Sequence, residues 1–386
     1  MKVLLLPVLA LFLLTTSPAP AHPQAPSPDP HMETALRVLT TTPIIDGHND
    51  LPWQIRNFDD APMDVGAYGV KEREGGHTDI RRIREGRLGG QFWSVYVPCD
   101  AMETGAARYQ LEQIDIMLEV IRQHPEHFEL ALTAEDVMRS FQNGKVASIL
   151  AMEGGHAIEN SLGALRAYYD LGVRYMTLTH SCQLDWADAS PPTQQAIGGL
   201  TEFGREVVRE MNRLGMLVDI SHVSDAVMSQ AMDVSEAPVI FSHSSVRALR
   251  DHHRNVPDSI LRRLPEKGSV VMITFVPSFL TDRDEATIDD VIAHIEHARD
   301  VAGVDHVGIG ADYDGIVSVP VGLEDVSTYP VLFAELSRRG WSESDLRKLA
   351  GENVLRVMRD AEEVARRLRA ERPPSTATIE ELDGGR

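Results

Sequence analysis

The chain has 386 residues, 43% of them hydrophobic, and a formal charge of −21 from 58 acidic against 37 basic side chains. That apolar content is enough for a sizeable core, and a surface this acidic excludes nucleic acid and anionic membrane as natural partners, since both are polyanions.

The first element is not part of the fold. Lys2, the apolar stretch 3–14 and the small residues Ala19-Pro20-Ala21 have the basic start, short apolar core and cleavage site of a secretory signal peptide, residues 1–21. The apolar run falls short of the roughly 20 residues that span a bilayer. No cysteine follows it and no apolar C-terminal tail exists, so neither kind of lipid anchor is expected, and the mature protein should be soluble, secreted or periplasmic. Residues 22–42 read as a Pro-rich linker and N-terminal segment, 43–360 as one large domain, and 361–386 as a helix end followed by a polar, partly disordered tail.

Within the domain, short apolar and β-branched runs recur at 44–48, 92–98, 147–153, 174–180, 216–222, 238–243, 270–276 and 307–312. Amphipathic segments separate them, clearest at 162–171, 203–214, 289–302 and 342–358. Eight strands alternating with helices predict an α/β fold of the (β/α)8 TIM-barrel type, with an open doubly wound sheet as the alternative.

Six of the eight runs finish in residues that bind metal or move protons: His48 and Asp50, Glu153, His180, His222, His243 and Asp312. Packing gives a core strand no reason to end so regularly in imidazole or carboxylate, and barrel active sites lie at that end. Three histidines and two carboxylates exceed what one open tetrahedral zinc needs; they suit two metals a few ångströms apart with one carboxylate bridging. Glu153, followed by two glycines that let the backbone approach closely, is the candidate bridge. His48 and Asp50 then complete one metal, His222 and His243 the other. Two metals sharing a water supply hydroxide near neutral pH and polarise a carbonyl, so the expected reaction is hydrolysis of an amide or ester. Asp312 is placed to pass the proton to the leaving amine, and His180 either donates to the developing oxyanion or serves as a further ligand.

Among the other polar groups, Asp314 beside Gly315 reads as a turn cap, and His124, His127, His294 and His297 read as solvated positions on helix surfaces. Arg247, Arg250 and Arg254 follow the sixth run, where one of them could grip a substrate carboxylate. In an exported chain Cys99 and Cys182 are expected to pair as a disulfide, against two buried thiols as the alternative. HExxH, GxSxG and P-loop motifs are absent.

The segments Ile45-Asp46-Gly47-His48-Asn49-Asp50-Leu51-Pro52-Trp53, Gly90-Gln91-Phe92-Trp93, Glu153-Gly154-Gly155-His156, Thr179-His180-Ser181-Cys182 and Phe241-Ser242-His243-Ser244-Ser245 together resemble the membrane dipeptidase (renal dipeptidase) family, over residues 44–358. The resemblance implies a (β/α)8 barrel with two zinc ions that hydrolyses dipeptides, including those with a C-terminal D-residue, and in some members β-lactams. It places His48 and Asp50 on one zinc, Glu153 as the bridge and His222 and His243 on the other, with His180 at the tetrahedral intermediate, Asp312 in proton transfer and Arg254 on the substrate carboxylate. It also implies the Cys99–Cys182 bridge and a homodimer, here non-covalent, because the further cysteines of mammalian members are missing; Arg250 and Asp282 stand at one such pair. Two other readings remain at this point: a different binuclear amidohydrolase acting on lactones, cyclic amides or phosphotriesters, and a non-catalytic metal-binding protein.

Overall fold

A computed structural model describes residues 3–4 and 29–384; apart from residues 3 and 4, the expected signal peptide lies outside them. Nine parallel strands form one sheet: β1 (Ile44–Asn49), β2 (Leu88–Ser94), β3 (Phe128–Leu130), β4 (Val146–Glu153), β5 (Val173–Thr177), β6 (Leu217–Asp219), β7 (Val239–Phe241), β8 (Val270–Ile273) and β9 (Val307–Ile309). Each of the eight expected runs contains or overlaps one of them. β1 pairs with both β2 and β9, and β2 pairs with β4, so eight strands close on themselves into the expected barrel.

The extra strand, β3, pairs with the first three residues of β4 before β5 takes over from Leu150. Three residues with a charged Glu129 in the middle carry too little apolar pattern to announce a strand. The second run is also displaced: the ladder covers Leu88–Ser94 rather than 92–98, because Gly89 and Gly90 conceal its first half from any apolar pattern. Beyond its end, the Val95 N–H still donates to the Ala151 carbonyl at 2.8 Å.

The strands are buried on both faces, as a barrel sheathed in helices requires. Their apolar side chains sort by alternation. Ile149 and Ala151, Tyr175, Leu217, Ile240 and Met272 fall in one buried cluster, while Leu150 and Met152, Met176, Val218, Phe241, Val271 and Ile273 fall in the other. The first set faces the barrel interior, since the Tyr175 hydroxyl reaches across to β1 and donates to the Gly47 carbonyl at 3.0 Å.

Helix boundaries follow local chemistry. The helix Glu202–Leu214 is capped by the Thr201 side chain and stops at Gly215, whose φ of +85° suits glycine. The helix Ile288–Ala302 starts on a Thr287/Asp290 capping box. The segment expected to be one helix over 342–358 instead divides into Glu343–Arg347, a π turn at Lys348–Glu352, and Asn353–Glu371. Gly351 in that turn lies against the Pro43 carbonyl, which a Cβ would approach to 2.5 Å.

The part of the expected Pro-rich linker before residue 29 lies outside the described residues. Residues Pro30–Thr41 form a helix that begins on an Asp29 cap, and Arg338 pairs with Asp29 at 2.7 Å. At the other end 372–378 has no regular secondary structure and Ile379–Asp383 is helical. The Ser375 carbonyl accepts from Arg166 at 2.9 Å, and Asp383 accepts the Glu202 N–H at 3.1 Å, so the tail caps a helix of the barrel. These hydrogen bonds act with Ile379, which is half-buried against the core, and a single apolar residue in a polar tail does not announce such docking.

Cys99 and Cys182 are joined as a disulfide. Where the resemblance noted a further cysteine pair, Arg250 and Asp282 form an ion pair at 2.9 Å. Among the described residues no helix is long and apolar enough to cross a membrane.

Candidate active site

The polar residues predicted at strand ends converge at the C-terminal mouth of the barrel. Glu153 is the last residue of β4 and His48 the fifth of β1, with Asp50 just beyond that strand; His180, His222, His243 and Asp312 lie two or three residues past β5, β6, β7 and β9. The backbone is bent to bring them in. His222 and Asp312 have φ of +66° and +69°, a region that costs a non-glycine residue about 1–3 kcal/mol and that structures retain mostly at functional sites.

Glu153 sits at the centre, and its two oxygens face different partners. Oε2 lies 3.4 Å from His48 Nε2, which is itself 3.2 Å from Asp50 Oδ2. Oε1 lies 3.2 Å from His222 Nε2 and 3.4 Å from His243 Nε2, with His180 Nε2 farther off at 3.9 Å. Spatial grouping alone also places His243 with His48 and Glu153, Asp312 with His48 and Asp50, and His180 with Glu153 and His222. By their contacts with Glu153, His48, with Asp50 beside it, lies on the Oε2 side and His222 and His243 lie on the Oε1 side.

Several observations show that this donor set fits cations. His48 Nε2 is buried with no hydrogen-bond partner among the described residues. Burial pushes the His222 and His243 imidazoles well below the usual histidine range, so both are neutral ligands-in-waiting at physiological pH. Their Nε2 atoms stand only 2.8 Å apart. Burial also disfavours a charged His48, yet Tyr175, Glu153 and Asp50 outweigh it and hold that imidazole above its ordinary value. Burial opposes ionisation of Glu153 as well, but His48 and His222 hold it well below the usual carboxylate range.

Neighbouring groups complete the site. Burial pushes Asp312 well above the usual carboxylate range, and Asp50 and Glu153 add to this against the pull of His48. His180 is held low, chiefly by burial, and its ring lies 4.8 Å from that of Tyr96. The disulfide ties the loop carrying Tyr96 to the loop carrying His180. Gly315 packs between two carboxylates: a Cβ there would stand 2.3 Å from Asp50 Oδ2 and 2.6 Å from Asp312 Oδ1.

Asp50, Glu153, His180, His222, Asp312 and Gly315 line a chamber of about 400 Å³ whose remaining wall includes Trp53, Tyr96, Val276, Phe279 and Ile316. Arg254 also lines it. The three arginines after the sixth run separate here by their partners. Arg247 is engaged by Asp225 at 2.5 and 2.7 Å, and Arg250 by Asp282. Arg254 is 5% exposed and has no carboxylate within ion-pair reach among the described residues. Its contacts are long ones, 3.4 Å to Ser244 Oγ and 3.3 Å to the His243 carbonyl. Burial lowers its pKa to about 10, which leaves it cationic at neutral pH.

Asp314 is a structural residue, as expected, though deeply buried rather than a surface cap; it accepts the His77 N–H at 2.7 Å. The histidines read as solvated stand outside the metal-competent groups, but two are buried. His124 closes the helix Ala106–Gln123, and His294 accepts the Val246 N–H at 2.9 Å through Nδ1 while Nε2 meets the Leu280 carbonyl at 3.0 Å. Helix phase alone did not reveal which face was covered. His127 and His297 are half-buried, beside Arg84 and Asp258.

Tyr175, Asp219, Ser242 and Asp46 were not anticipated. Asp46 accepts the His48 and Ala311 N–H groups and the Tyr329 hydroxyl, and burial pushes its carboxyl up to about 6. Asp46 and Asp219 could have been noticed as carboxylates inside apolar runs; Tyr175 could not, because it acts across the barrel.

A (β/α)8 barrel with imidazoles and carboxylates converging at its C-terminal mouth defines a metal-dependent hydrolase. The family model for membrane dipeptidase (peptidase family M19) matches residues 32–372, and the chain belongs to that family. Among solved structures, a dipeptidase AC is 30% identical, with a TM-score of 0.77 over 83% of this chain and 99% of that one. A metallopeptidase from Rhodobacter sphaeroides, solved with a phosphinate mimic of the dipeptide L-Ala-D-Ala, is 29% identical with a TM-score of 0.75 over 83% and 99%. The probable dipeptidase PvdM from Pseudomonas aeruginosa shares the fold at 24% identity, with a TM-score of 0.79 over 88% and 100%. The protein is thus a metallo-dipeptidase by family, a hydrolase of peptide bonds.

Proposed function

We propose that this is an exported dipeptidase that works with two zinc ions and cleaves the single peptide bond of a dipeptide, accepting a D-residue at the C-terminal position. The observation that carries the substrate class is Arg254: a buried guanidinium with no carboxylate within ion-pair reach among the described residues, lining a chamber of about 400 Å³ together with Asp50, Glu153, His180, His222 and Asp312. A buried charge without a partner is costly, so the site gains most from a ligand that brings a carboxylate. A dipeptide brings one next to its only peptide bond. The mimic bound by the Rhodobacter sphaeroides relative supports the D-residue, and the signal-like residues 1–21 support export.

His48 and Asp50 would hold one ion, His222 and His243 the other, with Glu153 shared. When bound, the ions act as Lewis acids on the scissile carbonyl and acidify the attacking water. The rest is done by this chain. Arg254 fixes the C-terminal carboxylate through paired N–H donors, which sets the register of the peptide in the chamber. His180 offers a ring N–H toward the oxygen on which charge develops. Asp312, whose raised proton affinity suits it to hold a proton transiently, receives one from the attacking water and passes it to the leaving amine.

Replacing Arg254 by Ala should lower kcat/KM for a dipeptide by roughly 100-fold, the loss of about 3 kcal/mol expected when one partner of a buried charged pair is removed. The same change should scarcely affect the corresponding dipeptide amide, which has no carboxylate to bind. Equal losses on both substrates would refute the role of Arg254.

A further inference from the structure

We infer that Asp219 is a positioning residue for the His222/His243 side of the centre, acting through Ser242 to fix the tautomer of His243; this rests on the two-ion reading above. Asp219, the last residue of β6, is fully buried and accepts four hydrogen bonds. Its Oδ1 takes the backbone N–H groups of Ser221 at 3.0 Å and Ser242 at 2.9 Å. Its Oδ2 takes the hydroxyls of Thr177 at 2.7 Å and Ser242 at 2.5 Å.

The last of these bonds decides the next. A serine hydroxyl has one proton, and Ser242 spends it on Asp219; the alternative acceptor, Ser221 Oγ, is 3.5 Å away. Ser242 Oγ can therefore only accept from His243 Nδ1, which lies 2.7 Å from it. Nδ1 carries the proton, and Nε2 presents its lone pair to the Glu153 side. A carboxylate, a hydroxyl and an imidazole thus form a directional chain that ends on a candidate ligand atom, the outer support that metal-binding histidines commonly have.

The two sides of the centre depend on such support differently. His48 has its own: the Tyr175 hydroxyl donates to the Gly47 carbonyl, so it can only accept from His48 Nδ1 at 2.8 Å. His222 has none, since its Nδ1 is buried without a hydrogen-bond partner among the described residues. On the Glu153 Oε1 side, His243 is thus the imidazole whose tautomer is imposed through its Nδ1, and Asp219 imposes it. Asp219→Asn would reverse the chain: the amide N–H₂ donates to Ser242, Ser242 donates to His243 Nδ1, and the proton moves to Nε2, where it blocks a ligand position.

The experiment is equilibrium dialysis of the purified full-length mature protein against buffered free zinc, read as ions per chain, with the melting temperature of the metal-free protein measured alongside. Wild type should hold two ions. Asp219→Asn and Ser242→Ala should retain the first and weaken the second by about 10- to 100-fold, the usual range for loss of an outer-sphere partner. Ser242→Thr, which keeps the hydroxyl, should restore it. Unchanged affinity for both ions in Ser242→Ala overturns the inference, as does an equal loss in Ser242→Thr, which would indicate packing rather than tautomer control. If Asp219→Asn fails to fold, the two Ser242 variants decide alone. A wild-type protein that never holds two ions overturns the two-ion reading instead, a result distinct from two ions bound equally well in every variant.

Discussion

At the scale of single residues, the site is built from side chains whose conformational costs make sense only together. Glu153 turns Oε2 to His48 and Oε1 to His222 and His243, so an isostere with one oxygen cannot replace it. Glu153→Gln should lose both metal and activity, as read by elemental analysis of the purified variant; a full metal complement would rule out a bridging carboxylate. Gly315 makes the complementary point, since no side chain fits between Asp50 and Asp312. Gly315→Ala should lower kcat about 100-fold, because displacing catalytic groups by an ångström is enough for that, with little change in the secondary structure seen by circular dichroism. Wild-type turnover would show that the two carboxylates are not held as described. The ligand candidates were legible because each ends an apolar run in a residue that packing does not favour. Arg254 could be chosen over Arg247 and Arg250 only by resemblance, and the structure supplies the physical reason: its two neighbours are taken by Asp225 and Asp282.

At the scale of elements, buried polar pins hold the helices to the barrel. His294, in the helix Ile288–Ala302, joins the segment after β7 to the Leu280 carbonyl. Burial depresses its pKa from 6.5 to about 4, because the proton would have to enter at Nδ1, which already accepts the Val246 N–H. The sign follows from linkage. The unfolded chain takes up a proton below its pKa of 6.5 while the folded chain resists until about 4, so this residue costs stability as pH falls through that window. The stability of wild type relative to His294→Gln should fall by about 3 kcal/mol between pH 7 and pH 4, measured by urea unfolding. A constant difference would contradict the neutral, buried histidine. Strand positions were mostly legible from apolar runs. The exceptions have physical causes: Gly89 and Gly90 hide half of β2, and β3 is held by pairing with β4 rather than by its own pattern.

At the scale of the molecule, closure of the barrel gathers the residues of six distant segments into one centre. Eight parallel strands place every C-terminal end at the same mouth, so residues separated by as many as 264 positions, His48 and Asp312, come to share a group of ligand atoms. The order of runs in the chain makes this fold and the first layer of the site readable. The supporting layer is not readable in the same way, because Tyr175, Asp219 and Ser242 matter through contacts across and between strands that only closure creates. Metal-dependent cleavage of free dipeptides is the activity that this fold and site together require. The direct measurement is hydrolysis of L-Ala-L-Ala and L-Ala-D-Ala by the mature protein before chelation, after chelation, and after restoring zinc. The expected result is cleavage, its loss with the metal, and its return as zinc reaches two ions per chain. Cleavage that persists after complete removal of metal, or no cleavage of either dipeptide by protein carrying two ions, would contradict it.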